Sequence, residues 1–262
     1  MTGKRAVAAS LLALTLAMGV SSALAASGTA LGVKPQAEAA KDGSTRTLVV
    51  GADVSIGELV RTGPAGQVQI MFSDRSELVV GPNSALLIED YLLRNDQSAG
   101  RFAVNALAGT FRFATGNASK DRYLISTPTG TIGVRGTEFD FNVDAAGTEV
   151  LLYKGAVILC NLNNQCVTLD GTCEIGTYDL SQSNIIGPAE STTGEQRNDL
   201  KDRFIYAQNQ SPLDRQFWIQ EARQCFNQGF TNDVAESLVG GPSDSAPEQS
   251  CYGEYYYNGC TD

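Results

Sequence analysis

The sequence predicts an all-β fold, an antiparallel sandwich or roll of many short strands, with a small helical, disulfide-stapled extension toward the C-terminal end. Three observations predict it. Apolar and polar residues alternate from about residue 48 to residue 178, the pattern of strands with one buried and one wet face. Turn signals break that alternation at short intervals, at Thr62-Gly-Pro-Ala-Gly66, Ser73-Asp74, Gly81-Pro-Asn83 and Asp144-Ala-Ala-Gly147, and many short strands so punctuated argue for a sandwich, roll or barrel. All six cysteines stand in the later part of the chain, the first being Cys160.

Residues 1–25 read as a signal peptide. Lys4 and Arg5 give the positive start, Ala6 to Val20 is an apolar run, and Ala23-Leu24-Ala25 offers small residues where a signal peptidase cuts. The run is short for a membrane span, and no later segment is long and apolar enough to make one. The expected product is exported, periplasmic or secreted, with no membrane span after signal cleavage. Residues 26–45, rich in Ala, Gly, Ser and Lys, are expected as a flexible leader.

Residues 46–180 make the β domain. Val68, Ile70 and Phe72 fall on one face of a strand, with Gln67 and Gln69 on the other. Leu78 with Val80, Leu86 with Ile88, and Phe102 with Val104 and Ala106 continue the pattern. Phe111 and Phe113 flank Arg112, and Phe139, Phe141 and Val143 alternate with Asp140 and Asn142. The polar partners are expected to face water.

Residues 181–239 form the expected helical extension. Glu195 to Gln208 carries Leu200, Phe204 and Ala207 on one stripe. Ser211-Pro-Leu-Asp214 reads as the start of a second helix, on which Leu213, Phe217, Trp218, Ile219, Ala222 and Phe226 pack against the β domain. Residues 240–262 are a Pro/Ser/Gly linker and a Cys/Tyr-rich tail, Cys251-Tyr-Gly-Glu-Tyr-Tyr-Tyr-Asn-Gly-Cys260, whose tyrosines are displayed contact residues or incidental to a stapled loop.

Acidic residues outnumber basic ones, 29 to 19, and histidine is absent. Such a surface repels phosphate backbones, so nucleic acid is not an expected partner. Without histidine the chain lacks the commonest general base and transition-metal ligand. No metal site and no cofactor are expected, because no Cys-x-x-Cys pair exists either. Acids such as Glu89, Asp90, Asp140 and Asp144 show no spacing that selects a catalytic pair.

Cys160, Cys166, Cys173, Cys225, Cys251 and Cys260 are expected in disulfides. Val157 to Cys160 and Cys166 to Leu169 look like two strands of a hairpin that sets Cys160 opposite Cys166. The expected pairing is Cys160–Cys166, Cys251–Cys260 and, by elimination, Cys173–Cys225, which ties the extension to the sheet.

The most informative stretch is Thr127 to Phe139, where Gly130, Gly133 and Gly136 punctuate a β segment and frame Arg135. The spacing is not that of a dinucleotide loop, and the segment leads into a strand. Arg135 either braces the turn, donating to backbone carbonyls or to a carboxylate such as Glu138, or faces a ligand carboxylate or a partner. Bracing is the preferred reading, and Arg135 is the only candidate binding residue.

This stretch resembles the signature of the FecR domain, a bacterial envelope module. The resemblance spans roughly residues 49–152. It includes Gly57-Glu-Leu-Val-Arg-Thr-Gly63, Val68-Gln-Ile-Met-Phe-Ser-Asp74 with Ser76-Glu-Leu78, Gly81-Pro-Asn-Ser-Ala85, Leu86-Leu-Ile-Glu-Asp-Tyr91 and Gly109-Thr-Phe-Arg-Phe-Ala-Thr-Gly116. Two departures stand out. Glu58 replaces the family's usual Asp, and Arg75 stands in a turn where the family commonly has glycine. The resemblance implies a non-enzymatic module that binds, senses or scaffolds in the envelope, through an envelope protein or a glycan. The family is named after a regulator of iron(III)-citrate uptake that carries a cytoplasmic domain acting on a sigma factor and one membrane span. Sigma-factor control is not implied here, because the expected signal peptide stands in place of those two parts. A secreted adhesin or glycan binder is the alternative.

Overall fold

The computed structural model describes residues 27–93, 99–117, 123–192 and 194–226. The expected signal peptide, the linker and the Cys251–Cys260 tail lie outside them. Seventeen strands follow one another: β1 (Gly28–Lys34), β2 (Ala37–Lys41), β3 (Ser44–Thr47), β4 (Asp53–Val54), β5 (Leu59–Thr62), β6 (Gln67–Phe72), β7 (Glu77–Val80), β8 (Ala85–Leu93), β9 (Ala99–Ala114), β10 (Tyr123–Thr127), β11 (Gly130–Val134), β12 (Glu138–Val143), β13 (Thr148–Lys154), β14 (Val157–Asn161), β15 (Cys166–Leu169), β16 (Glu174–Tyr178) and β17 (Ser183–Pro188).

The pairings define two sheets. Sheet I runs β4-β1-β6-β7-β9-β12-β13-β16-β17. Sheet II runs β3-β2-β5-β8-β9-β10-β11-β14-β15. All pairings are antiparallel except β9 with β10. Strand β9 serves both sheets. Its first part pairs with β8 and β10, and its last six residues pair with β7 and β12. The crossing falls at Gly109, whose φ of +112° is open to glycine and whose missing Cβ leaves room for Ser84. The all-β sandwich expected from the alternation is the observed architecture.

Apolar side chains from the inner faces of both sheets fill the core. Phe72, Phe102, Phe113 and Tyr123 pack with ring centroids 4.9–5.7 Å apart, mostly tilted or edge-on. The core extends into the segment expected as a flexible leader. Residues 28–47 form β1, β2 and β3, and Ala30, Ala37 and Ala39 are buried. Asp42 and Gly43 both adopt positive φ, 49° and 78°, the two-residue hairpin turn whose twist matches its flanking strands.

The C-terminal extension differs from two packed helices. Helix α1 (Gly194–Arg203) ends at Phe204, and α2 (Ile205–Gln208) is a single turn. The expected second helix is absent. In its place are 3₁₀ turns at Arg215–Phe217 and Glu221–Arg223, the first flanked by extended backbone at Asp214 and Trp218. Gln210 explains the break, because its side chain accepts from the Ile219 amide and donates to the Ile219 carbonyl, both at 2.8 Å. The apolar residues are still buried. Leu200, Phe204, Ile219, Ala222 and Phe226 lie on Leu151, Tyr153 and Ile175 of sheet I, while Leu213 and Phe217 lie beside Val79. The extension is thus an irregular strap across the outer face of sheet I.

Two disulfides are present among the described residues. Cys160 and Cys166 are direct cross-strand partners between β14 and β15 with Cα atoms 4.1 Å apart. Cys173, just before β16, bonds Cys225 and ties the strap down.

Candidate functional site

The signature stretch is built from buried hydroxyls. Thr127 at the end of β10 meets the Tyr178 hydroxyl at 3.0 Å, and Thr129 meets Thr148 at 3.2 Å. Burial is the main cause that raises the Tyr178 hydroxyl's pKa. Gly130 must be glycine because a Cβ would collide with the Cys160 carbonyl on β14. Gly136, at φ 69°, turns the chain into β12.

Arg135 is exposed, and its amide bonds the Ala156 carbonyl at 3.1 Å. Among the described residues its guanidinium makes no hydrogen bond or ion pair. Glu138, named as its possible brace, instead faces Lys154 at 3.6 Å. The expected bracing is therefore absent, and the side chain is left displayed.

Other family-like segments are turn staples. Glu58 accepts from Arg46 through both carboxylate oxygens at 2.8 and 3.0 Å and from the Ser55 amide at 2.9 Å. Asp74 is fully buried and accepts from the hydroxyls of Ser76, Tyr123 and Tyr91 at 2.7, 2.6 and 3.2 Å. Burial and then the Asp74 charge push the Tyr91 hydroxyl upward. Arg75 takes a φ of 67°, so the turn keeps the left-handed geometry that glycine serves in the family.

The polar outer face of sheet I, expected to be wet, is sealed by the strap. Arg112 on β9 and Asp140 on β12 form a bidentate pair at 2.6 and 2.9 Å with side chains 2% and 1% exposed. The Tyr153 hydroxyl also donates to Asp140 at 2.6 Å, and the Arg112 Nη1 donates to the Gln210 side chain on the strap. Burial acts to lower the Arg112 pKa, but Asp140 and Tyr153 beside it together more than offset this and hold the cation charged. Gln67 donates to the Pro212 carbonyl at 3.2 Å, and Gln69 accepts from the Asp214 amide at 2.7 Å. These side chains, which periodicity assigned to solvent, hold the strap's backbone.

A cleft of about 810 Å³ opens where the chain passes from β1 in sheet I to β2 in sheet II. Val33, Pro35, Leu48, Val49 and Val50 supply its apolar wall. Val49 and Val50 are 60% and 65% exposed, an unusual placement for β-branched residues. Arg61 and Glu38 stand at its polar side, 3.9 Å apart. Sequence periodicity passed over this cleft because part of its wall, Val33 to Glu38, belongs to the segment read as a leader.

The acids considered for catalysis are dispersed. Glu89 accepts from Asn105, Asp90 pairs with Arg101 at 3.1 Å, Asp140 is buried, and Asp144 caps its own turn through the Ala146 and Gly147 amides. Among the described residues no cluster of three or more His, Cys, Asp or Glu side chains can hold a metal ion. Nor is any helix among them long and apolar enough to cross a membrane.

Residues 58–158 match the family profile described as FecR: FecR protein. No curated protein matches the sequence. The chain is similar to two crystal structures, at 1.65 and 2.50 Å resolution, of "a putative anti-sigma factor from Parabacteroides distasonis ATCC 8503". Both are 12% identical, with TM-scores of 0.41 and 0.39; the likeness covers 56% and 49% of this chain and 74% and 57% of those.

Proposed function

Residues 58–158 being a FecR domain, we propose that the chain is a non-enzymatic binding module of the bacterial envelope, working in the periplasm or outside the cell. The FecR match is the observation that carries this reading. Two disulfides agree with it, since such bonds persist in oxidising compartments. So does the absence of histidine, which leaves no imidazole for acid–base work.

The partner is an envelope protein, held at the Val49/Val50 cleft. Ligand pockets are concave and mostly apolar, with a few polar groups that fix orientation, and the Arg61–Glu38 pair fills that role here. Among the described residues no aromatic ring lines the cleft on which a sugar could stack. The protein partner is therefore preferred over a glycan.

The test is affinity purification from envelope extracts with the disulfides intact. Wild type is expected to retain a protein partner that a Val49→Asp/Val50→Asp variant loses while its thermal midpoint stays within a few degrees. Retention by both proteins removes the cleft from the reading. Binding to a polysaccharide panel, with no protein retained, replaces it with the glycan binder.

A further inference from the structure

Both sheets end, at one end of the sandwich, in strands that pair on one side only. Strand β15 pairs with β14, and β17 pairs with β16. Ser183 donates to the Gln165 carbonyl and Asn163 to the Leu180 carbonyl, both at 2.8 Å, so the two strand ends and their turns form one surface. That surface exposes Leu162 at 61%, Leu180 at 60%, Ile185 at 46% and Ile186 at 38%.

Few charges protect it, the nearest being the carboxylates of Asp170 just after β15 and Asp179, which caps the turn that carries Leu180. Residues 155–169 and 180–189 hold no Asp, Glu, Lys or Arg in a chain with 29 acids. Soluble proteins ordinarily blunt sheet edges with charges, often lysine. The opposite end does so, with Arg46 on the β3 edge and Asp53 on the β4 edge. The protective devices at the open end are a bulge in β17, where the register shifts and leaves Ile186 unpaired, and Pro188 at the strand's last position. A bulge limits backbone pairing but leaves the side chains apolar.

We propose that this end is a self-association surface, and that its occupant is a second copy of the chain packed end to end about a two-fold axis. Charge argues for that occupant. Copies with a net charge of −10 repel one another over most of their surface, so they approach best through the patch whose strands carry no charge, with only Asp170 and Asp179 at its rim. Antiparallel β17 strands are also self-complementary: a two-fold sets the same isoleucines against each other and closes, without propagating a filament. Residues 162–186 lie beyond the FecR match, so the contact is distinct from the FecR domain and from the cleft at the other end.

Sedimentation velocity on the full oxidised chain, from about 1 to about 100 µM at physiological salt, spans the range in which a modest interface is populated. Wild type is expected to shift from monomer to dimer across it. Ile186→Lys and Leu180→Lys each place a charge on both sides of the contact and should raise the dissociation constant by roughly tenfold or more. Leu124→Lys is the control, because Leu124 is 43% exposed on the outer face of sheet II, away from this end. Near-ultraviolet circular dichroism checks the fold. Leu180, in an exposed turn, decides the matter if the Ile186 variant does not fold. A wild type that stays monomeric throughout, whether or not its own tail covers the patch, overturns the proposal. A dimer that survives both substitutions overturns it too.

Discussion

Replacing Arg112 with Met removes the cation that neutralises Asp140 and keeps an apolar stem of similar length. Asp140 is then a carboxylate with a side chain 1% exposed and one remaining donor, the Tyr153 hydroxyl. Breaking a buried ion pair from one side costs about 3–5 kcal/mol, because the surviving charge stays uncompensated. Loss of the Gln210 contact and of the Tyr153 and Tyr206 rings within 5.6 Å of the guanidinium favours the upper part of that range. Removing both charges, as Arg112→Met/Asp140→Met, should recover most of the loss, leaving about 1–2 kcal/mol for the unpaired Tyr153 hydroxyl. Urea unfolding under non-reducing conditions measures this with two probes. Far-ultraviolet circular dichroism reports the sheets, and Trp218, the only tryptophan, reports the strap. The two transitions should coincide, as for one cooperative unit. A cost below about 1 kcal/mol for the single variant would refute the buried pair as the clamp between strap and sheet.

Three further outcomes follow from the same geometry. Glu77 is half-buried, and burial followed by the nearby Glu138 charge raises its carboxyl to about 7. Its folded value lies above its unfolded one, so its ionisation destabilises the fold as pH rises from about 4.5 through 7; Glu77→Gln should gain about 1 kcal/mol at pH 8 and nothing at pH 4, after allowing for solvent screening. Cys173→Ser/Cys225→Ser opens a link between residues 52 apart and should cost roughly 4 kcal/mol, against roughly 2 for Cys160→Ser/Cys166→Ser across 6, by the loop-entropy estimate; equal losses in urea unfolding would count against the strap's dependence on its staple. Arg135→Ala should leave stability within about 0.5 kcal/mol, since the side chain is exposed and unpaired among the described residues, and a larger loss restores the bracing role.

The alternation of Val68, Ile70 and Phe72, and of Phe139 and Phe141, was legible because period two reports which side chains share a face. It does not report what lies over the other face. Gln67, Gln69, Arg112 and Asp140 looked like solvent residues, yet their cover comes from residues 204–226, far along the chain. The strap's apolar residues were legible as buried but their helix was not real. Gln210 clasps the Ile219 backbone, and a tertiary bond of that kind overrides local helical spacing. Strands β1 to β3 were missed because β1 and β2 bury only alanines and glycines, which carry weak strand propensity, and β3 buries nothing. The Asp42-Gly43 pair was the available signal. For Arg135 the sequence named the residue but not its surroundings.

Site-specific photocrosslinking in the living envelope is the most direct test of the proposed protein partner at the Val49/Val50 cleft. A photoreactive residue at position 49 is expected to trap one protein, and the same residue at position 124, on the outer face of sheet II, is expected to trap none. A crosslink from position 124 and none from position 49 would contradict it.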